Sequence, residues 1–264
     1  MTDFYIRETA DNQKKVFDRK YAPATTLLQN RIVAVTGAGD GIGKTVAKTY
    51  AEYGATVILI GRTSSKLESV YDEIEAAGLP QAAIYTIDFN SAVEKNYQDM
   101  AEAFDQEFGH LDGIVYNAAI LGQRTSLRNY SVDTWQSVFQ VNVTAPFTMT
   151  KVLLPLLQKS DNASLIFTGS TVAYNGRAYW GAYAASKAAV ENVMQILADE
   201  LDETSTIRSN SINPGATRTS MRSAAYPGEN PNTVKLPEQL MPLYLYLMGT
   251  DSIGSNGQQF IVSV

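Results

Sequence analysis

A tyrosine and a lysine stand four residues apart in the segment Tyr183–Lys187. On a helix, positions i and i+4 share one face, so the phenol and the ammonium would converge. A nearby ammonium favours the phenolate and lowers the tyrosine pKa from about 10. The pair therefore predicts a general acid or base working near neutral pH. The same spacing is common on solvated helix faces, so this interpretation depends on the neighbouring motifs.

A glycine-rich turn joins a predicted strand, Ile32–Thr36, to a predicted helix, Ile42–Tyr53. It reads Thr-Gly-x-x-x-Gly-Ile-Gly, with glycines at Gly37, Gly41 and Gly43. At such a junction the backbone amides point outward and the helix dipole favours an anion, which predicts a pyrophosphate site. The spacing departs from the dinucleotide fingerprint, because Ile42 stands where the last glycine would fall. A tight turn without a ligand is the alternative.

The end of the second predicted strand, Thr56–Ile60, indicates which nucleotide binds. A dinucleotide fold selective for NAD places an acidic residue about 20 positions after the glycines. This chain has Gly61 and Arg62 there and no carboxylate. A guanidinium suits a 2′-phosphate, so we expect NADP(H) as cofactor, with NAD(H) less favoured. A surface arginine at a strand end is the alternative.

Strand and helix patterns alternate along most of the chain. The predicted strands are Ile32–Thr36, Thr56–Ile60, Ala82–Asp88, Gly113–Tyr116, Ser164–Thr168, Ile207–Ile212 and Gln259–Val262, and the predicted helices are Ile42–Tyr53, Ser65–Ala77, Ala92–Phe108, Val132–Gln158 (broken near Pro146), Tyr183–Glu203 and Pro237–Met248. This alternation predicts an α/β fold with a doubly wound, Rossmann-type parallel sheet of about seven strands. We expect one dinucleotide-binding catalytic domain over residues 31–264, preceded by an arm or short helix over residues 1–30 outside the core. The long segment Arg218–Leu236 breaks the alternation and predicts a functional loop.

Composition limits the other possibilities. The chain has 264 residues, a net charge of −6, no cysteine and one histidine, His110. A Ser-His-Asp hydrolase would have to use that histidine, and a zinc site of several His and Cys ligands is unavailable, so no metal is expected. The acidic balance argues against nucleic-acid binding. No apolar run is long enough to span a membrane, the N-terminus is too polar for a secretory signal, and a cytoplasmic setting is expected.

Taken together, the motifs resemble those of the short-chain dehydrogenase/reductase family, in its single-domain branch, over residues 31–264. Those that carry the resemblance are Thr36–Gly43, Asp88 after the third strand, Asn117-Ala118-Ala119 after the fourth, Asn142, Ser170, Tyr183-x-x-x-Lys187, and Pro214-Gly215 after the sixth. Within the family the chain is most similar to a little-characterised bacterial group of oxidoreductases, through Gly181–Lys187 and Met241–Leu245. It departs from the family's Asn-Asn-Ala-Gly by reading Tyr116-Asn117-Ala118-Ala119.

The resemblance implies roles for named residues. The implied catalytic residues are Tyr183 as proton donor, Ser170 as hydrogen-bond donor to the carbonyl oxygen, Lys187 as holder of the nicotinamide ribose, and Asn142 as holder of a relay water. The implied cofactor-binding residues are Gly37, Gly39, Asp40, Gly41, Ile42, Gly43, Arg62, Asp88, Asn117, Ala118, Tyr183, Lys187, Pro214, Gly215, Thr217 and Thr219. Asp88 would contact the adenine edge, and Thr219 the nicotinamide carboxamide.

The sequence thus predicts an NADP(H)-dependent oxidoreductase that interconverts a carbonyl and an alcohol. Alternatives are an isomerase, epimerase or dehydratase on the same fold, or a non-catalytic NADP(H)-sensing protein. The candidate substrate-lining residues are Ile120, Leu121, Gln123, Tyr174, Trp180, Met221, Arg222 and Tyr226, which suit a moderately apolar small molecule, with an acid group near Arg222. Apolar residues on more than one face of two helices, including Phe147, Met149, Val190, Val193, Met194 and Leu197, predict a homodimer or homotetramer.

Overall fold

In the computed structural model, residues 6–8, 14–17 and 21–262 are described, the first three by their backbone. The strands are β1 (Ile6–Glu8), β2 (Lys14–Phe17), β3 (Ile32–Thr36), β4 (Thr56–Gly61), β5 (Ala83–Thr86), β6 (Gly113–Tyr116), β7 (Ser164–Thr168), β8 (Arg208–Asn213) and β9 (Gln259–Val262). They form one sheet in the order β1-β2-β9-β8-β7-β6-β3-β4-β5. Strands β2 to β9 are parallel, and β1 pairs antiparallel with β2 at one edge.

Helices cover both faces of this sheet. They are α1 (Gly41–Glu52), α2 (Ser64–Ala76), α3 (Glu94–Phe108), α4 (Val132–Phe139), α5 (Ala145–Leu157), α6 (Gly181–Asp202), α7 (Ser220–Ala225) and α8 (Met241–Met248). Successive side chains of a strand face opposite sides. Accordingly, Val33 and Val35 pack in the core that contains Tyr50 of α1 and Tyr244 of α8, whereas Ala34 packs in the other core, with α3, α5 and α6. The predicted doubly wound Rossmann-type fold is confirmed.

The sheet has eight parallel strands rather than the predicted seven. All seven predicted strands are present, and the additional one, β2, belongs to the segment that we expected to be an arm or short helix. Its Phe17 is 2% exposed and packs against Tyr21 and Tyr246. The strand has only four residues and its partner β9 lies more than 240 positions away. No local periodicity could therefore indicate it.

The long predicted helix over residues 132–158 is interrupted. Five residues, Gln140–Thr144, form a π-helical turn between α4 and α5. Pro146 follows this turn, at the start of α5, and the backbone stays helical through the junction, since Phe139, Thr144 and Ala145 have right-handed helical φ and ψ. The break therefore lies just before the proline. π-Helical turns are frequent at functional sites, and this one carries Asn142.

The segment between β8 and α8 has structure of its own. It contains α7 and a 3₁₀ turn at Pro231–Thr233, and Arg218 N–H bonds the Lys235 carbonyl at 2.8 Å. Its two ends are thus tied together while α7 projects toward the glycine-rich turn. Among the described residues, no helix combines the length and apolarity needed to cross a bilayer.

Candidate active site

One large cavity lies at the carboxyl ends of the parallel strands. Its volume is about 810 Å³. Chain connections leave β3 in opposite directions, since β4 lies on one side and β6 on the other, and ligands of open α/β sheets bind at such a switch point. All the residues predicted for catalysis and cofactor binding line this cavity except Gly43 and Asn142.

The glycine-rich turn needs its glycines for two different reasons. Gly37 and Gly41 have φ angles of 69° and 52°, in the left-handed region that side chains disfavour. Gly43 instead packs against the turn, because a Cβ on it would lie 2.2 Å from the Gly37 carbonyl oxygen. It thus shapes the turn from behind and does not face the cavity.

The hydroxyl of Thr36, the first residue of the glycine motif, ties the turn to β6, the neighbouring strand in the sheet. Thr36 Oγ1 accepts hydrogen bonds from the backbone N–H groups of Asn117 and Ala118, both at 3.0 Å, and donates to the Val115 carbonyl at 3.2 Å. Strands β3 and β6 therefore end in a common network. The Asn117 side chain also donates to the Thr36 carbonyl at 3.4 Å. Asn117 and Ala118 line the cavity from this fixed position.

Two cations lie at the end of β4. Arg62 is exposed and has no ion-pair partner within the described part of the chain. Lys66, four positions later, also lines the cavity and bonds Asp40 at 3.1 Å, which lowers the pKa of that carboxyl. Asp40 also accepts from Ser220 of α7 at 3.1 Å. Lys66 was missed in the sequence, because Arg62 precedes α2 and Lys66 lies on it, so no helical spacing relates the two.

Lys187 is almost completely buried. Its Nζ donates to the Thr168 carbonyl oxygen at 2.7 Å and lies 5.8 Å from the ring centre of Tyr183. Burial lowers its pKa to about 8, against the opposing charge of Glu191 one helical turn away. Because this pKa lies close to neutrality, the Lys187 side chain can lose or gain its proton near neutral pH.

Tyr183 differs from its prediction. We expected Lys187 to lower its pKa, but burial raises the pKa of Tyr183 to about 12, and the hydrogen bond to Ser170 offsets this only in part. The lysine Nζ lies over the ring and bonds a carbonyl, so it gives the phenolate little support. Tyr183 therefore keeps its proton at neutral pH and is placed to donate it.

Asn142 is 2% exposed and joins two elements behind the cavity. Its Oδ1 accepts from the Ile120 N–H at 2.8 Å, and its Nδ2 donates to the Ile120 carbonyl at 3.1 Å and to Ser186 Oγ at 3.0 Å. Ser186 directly precedes Lys187 on α6. Asn142 thus fixes the position of the lysine relative to the segment after β6.

The remaining predicted residues surround the cavity. Asp88 lines it and accepts from the Asn90 N–H at 3.0 Å. On the opposite side are Pro214, Gly215, Thr217 and Thr219. Thr219 caps α7 by accepting from the Arg222 N–H at 3.1 Å.

The far end of the cavity is apolar and aromatic. Of the eight substrate-lining candidates, Gln123 and Tyr174 do not line it, and Ile120, Leu121, Trp180, Met221, Arg222 and Tyr226 do. Arg222 forms a bidentate ion pair with Glu229, in which Nε donates to Oε2 at 2.6 Å and Nη2 donates to Oε1 at 2.5 Å. Two polar lining residues were missed, Asn175 and Arg177, since loop positions carry no periodicity.

Comparison with known proteins gives a consistent picture. The family model described as short chain dehydrogenase matches residues 31–230. An uncharacterized oxidoreductase, YciK of Escherichia coli K12, is 48% identical over 240 residues, which are 91% of this chain and 94% of that protein. A solved structure from Pseudomonas syringae superposes with a TM-score of 0.90 at 49% identity and covers 92% of this chain and 98% of its own.

A further solved structure contains a cofactor. The protein from Escherichia coli CFT073, complexed with NADPH, is 48% identical, with a TM-score of 0.88 and coverage of 90% of this chain and 99% of that one. The chain belongs to the short-chain dehydrogenase/reductase family and is an oxidoreductase of that family.

Proposed function

We propose that this oxidoreductase uses NADP(H) to interconvert a carbonyl group and an alcohol. The observation that carries the proposal is that Tyr183, hydrogen-bonded to Ser170, lines the same cavity as the glycine-rich turn and Arg62. A proton donor, a hydroxyl and an anion site in one cavity are the groups that carbonyl reduction requires.

The cavity fits an NADP(H) molecule on its own geometry. The left-handed Gly37 and Gly41 expose a turn without side chains at the start of α1, where the helix dipole favours a pyrophosphate. Arg62 and Lys66 supply cations for a 2′-phosphate, which is absent from NAD(H). The NADPH-bound protein of Escherichia coli CFT073 supports the same assignment.

When bound, the nicotinamide supplies or accepts the hydride. In the reductive direction Tyr183 donates its proton to the carbonyl oxygen, and the Ser170 hydroxyl stabilises the charge that develops there. Lys187 has two N–H donors beyond the one used by Thr168, and these would hold the ribose hydroxyls. Asp88 would contact the adenine edge. Asn142 would act from behind, by holding the segment that precedes Lys187.

At neutral pH Tyr183 is in its acid form, which is the form that carbonyl reduction needs. Alcohol oxidation needs the phenolate and should accelerate as pH rises. An isomerase or dehydratase would consume no cofactor overall. A sensor would have no need for a buried tyrosine bonded to a serine. Net consumption of NADPH therefore separates these alternatives from the proposed reaction.

Tyr183→Phe tests the proposal. A panel of aldehydes, ketones and 3-oxoacyl thioesters assayed with NADPH should give substrates that the variant turns over roughly 10²- to 10⁴-fold more slowly. NADPH affinity should be unchanged, because the ring remains. Tyr179→Phe, on an exposed ring that does not line the cavity, is the matched control. Full activity in Tyr183→Phe would refute the assignment of the proton donor.

We also propose that α5 and α6 meet copies of themselves in a homodimer or homotetramer. Met149, Val190 and Met194 are buried within the chain, but Phe147 on α5 and Ile196 on α6 are 54% and 47% exposed. Burial of exposed apolar side chains drives association. Light scattering at micromolar concentration should give a multiple of the 28.8 kDa chain mass, and Phe147→Glu should shift it toward the monomer.

A further inference from the structure

The apolar end of the cavity has an aromatic wall. Trp180 packs against Tyr183 with ring centres 5.7 Å apart and against Tyr226 at 5.8 Å. Behind this wall the Arg124 guanidinium lies 4.1 Å from the Trp180 ring centre and donates to the Ala225 carbonyl at 2.9 Å. The aromatic surface is therefore held in place before any ligand binds.

The charges at this end are unbalanced. Arg222 is neutralised by Glu229, and Arg124 stacks on Trp180 and Tyr226 without lining the cavity. Arg177 lines the cavity and, within the described residues, has no hydrogen-bonding side-chain partner and no ion-pair partner. No carboxylate lines the cavity near it, since Asp40 and Asp88 belong to the cofactor end.

Arg177 and the aromatic wall come from one short turn. The Trp180 N–H bonds the Arg177 carbonyl at 3.2 Å, and Tyr179 between them has a φ of 70°. The turn leads directly into α6, which presents Tyr183. A cation, a flat apolar surface and the proton donor are therefore presented in sequence along one wall.

We propose that the substrate joins a flat apolar body to an oxyanion, a carboxylate or a phosphate, with the body against Trp180 and Tyr226 and the oxyanion on Arg177. The inference rests on the proposed function, since it places the reacting carbonyl at Tyr183. A guanidinium pairs with two oxygens of such a group at once, which fixes the orientation of the substrate as well as binding it. Arg177 thus repeats, at the substrate end, what Arg62 offers at the cofactor end.

Binding of unreactive probes tests this without turnover. We would titrate 3-phenylpropionate, 4-phenylbutyrate, their amides and 3-phenylpropylphosphonate into the NADP⁺-loaded protein by calorimetry. The anions should bind at least about tenfold more tightly than the amides, since hydrogen bonds to charged groups contribute about 1.5–3 kcal/mol. The phosphonate and the carboxylates together show which oxyanion the site prefers.

Three variants complete the experiment. Arg177→Gln should remove the preference for anions, leave amide and NADP⁺ binding unchanged, and retain the thermal melting temperature. Arg177→Lys should keep part of the preference. Arg128→Gln, on an exposed arginine that does not line the cavity, should behave as the parent protein.

Equal binding of anions and amides by the parent protein, no binding of either class, or an unchanged preference in Arg177→Gln would each overturn the inference. The proposed function fails on a different result, which is full turnover in Tyr183→Phe. The two can therefore be refuted separately.

Discussion

Two buried cations at opposite ends of the sheet have different surroundings. Lys187 lies at the carboxyl end, is 3% exposed and makes one hydrogen bond, to the Thr168 carbonyl. Arg208 begins β8 at the amino end and is 6% exposed. Its guanidinium donates to Asn162 Oδ1, to the carbonyls of Leu247 and Gly249, and to Ser252 Oγ.

This difference separates a cation whose donors are used within the fold from one whose donors face a cavity. Burial lowers the pKa of both, to about 10 for Arg208 and about 8 for Lys187. A buried charge is costly unless its donors are satisfied, and Arg208 satisfies them within the fold. Lys187 leaves donors unused in a cavity open to ligands. The protein therefore bears a cost in stability at the end of the sheet that holds the proposed active site.

The largest effect expected from this comparison is at Lys187. Lys187→Met should slow turnover by roughly 10² or more, because it removes the proposed contact that positions the nicotinamide ribose. The same variant should raise the free energy of unfolding of the cofactor-free protein by about 1 kcal/mol, since a desolvated ammonium is replaced by an apolar chain of similar length. Chemical denaturation and steady-state kinetics measure the two effects. A less stable variant would contradict the comparison.

The stability gain should depend on pH in a stated direction. Lys187 has a pKa near 8 in the folded chain and the ordinary 10.5 when unfolded, so the unfolded state binds more protons between these values. The wild-type protein therefore gains stability from this group as pH rises through that window. Below pH 8 the Met variant should be the more stable, and its advantage should shrink from pH 8 toward pH 10.5.

Arg208→Met should have the opposite effect on stability. Among the described residues it leaves Asn162 Oδ1 without a donor, and it removes one donor from the carbonyls of Leu247 and Gly249, which keep bonds from Ser164 and Ser252. The free energy of unfolding should fall by about 2 kcal/mol. At a temperature where the variant is folded, NADPH affinity should be unchanged, because the site lies at the other end of the sheet. Arg128→Met is the control for loss of an exposed arginine. An unchanged melting temperature would show that this hydrogen-bonding network is dispensable.

The smallest predicted effect concerns Arg62, an exposed cation that we propose binds the 2′-phosphate of the cofactor. NADPH should bind at least about tenfold more tightly than NADH, as expected for a charge-assisted phosphate contact. The double change Gly61→Asp and Arg62→Ala should erase or invert that preference without altering stability by more than about 0.5 kcal/mol. Cofactor fluorescence titration checks it. Equal affinities of the unaltered protein for NADPH and NADH would show that Arg62 does not contact the 2′-phosphate.

Short-range patterns were sufficient for most of the architecture. Alternating runs of β-branched and amphipathic sequence predicted seven of the eight parallel strands and the doubly wound fold, because both faces of such strands are buried. The motifs likewise predicted the family. They also predicted a shared site for Gly37, Ser170 and Tyr183, which line one cavity in the structure. These features depend on local backbone preference and on the common edge where parallel strands end.

Other features arise only when distant segments meet. β2 is a strand because it pairs with β9, a strand from the other end of the chain. Asn142 lies in the π-helical turn and bonds Ser186 of α6. Arg222 is paired with Glu229, whereas Arg177 has no ion-pair partner among the described residues, and both differences come from loop contacts without a sequence period. The clearest case is Tyr183. The sequence shows its spacing to Lys187, but the direction of its pKa shift depends on how deeply Tyr183 is buried and on which atom the ammonium contacts. Desolvation by the surrounding fold outweighed the proximity of the charge, and only the tertiary structure decides that balance.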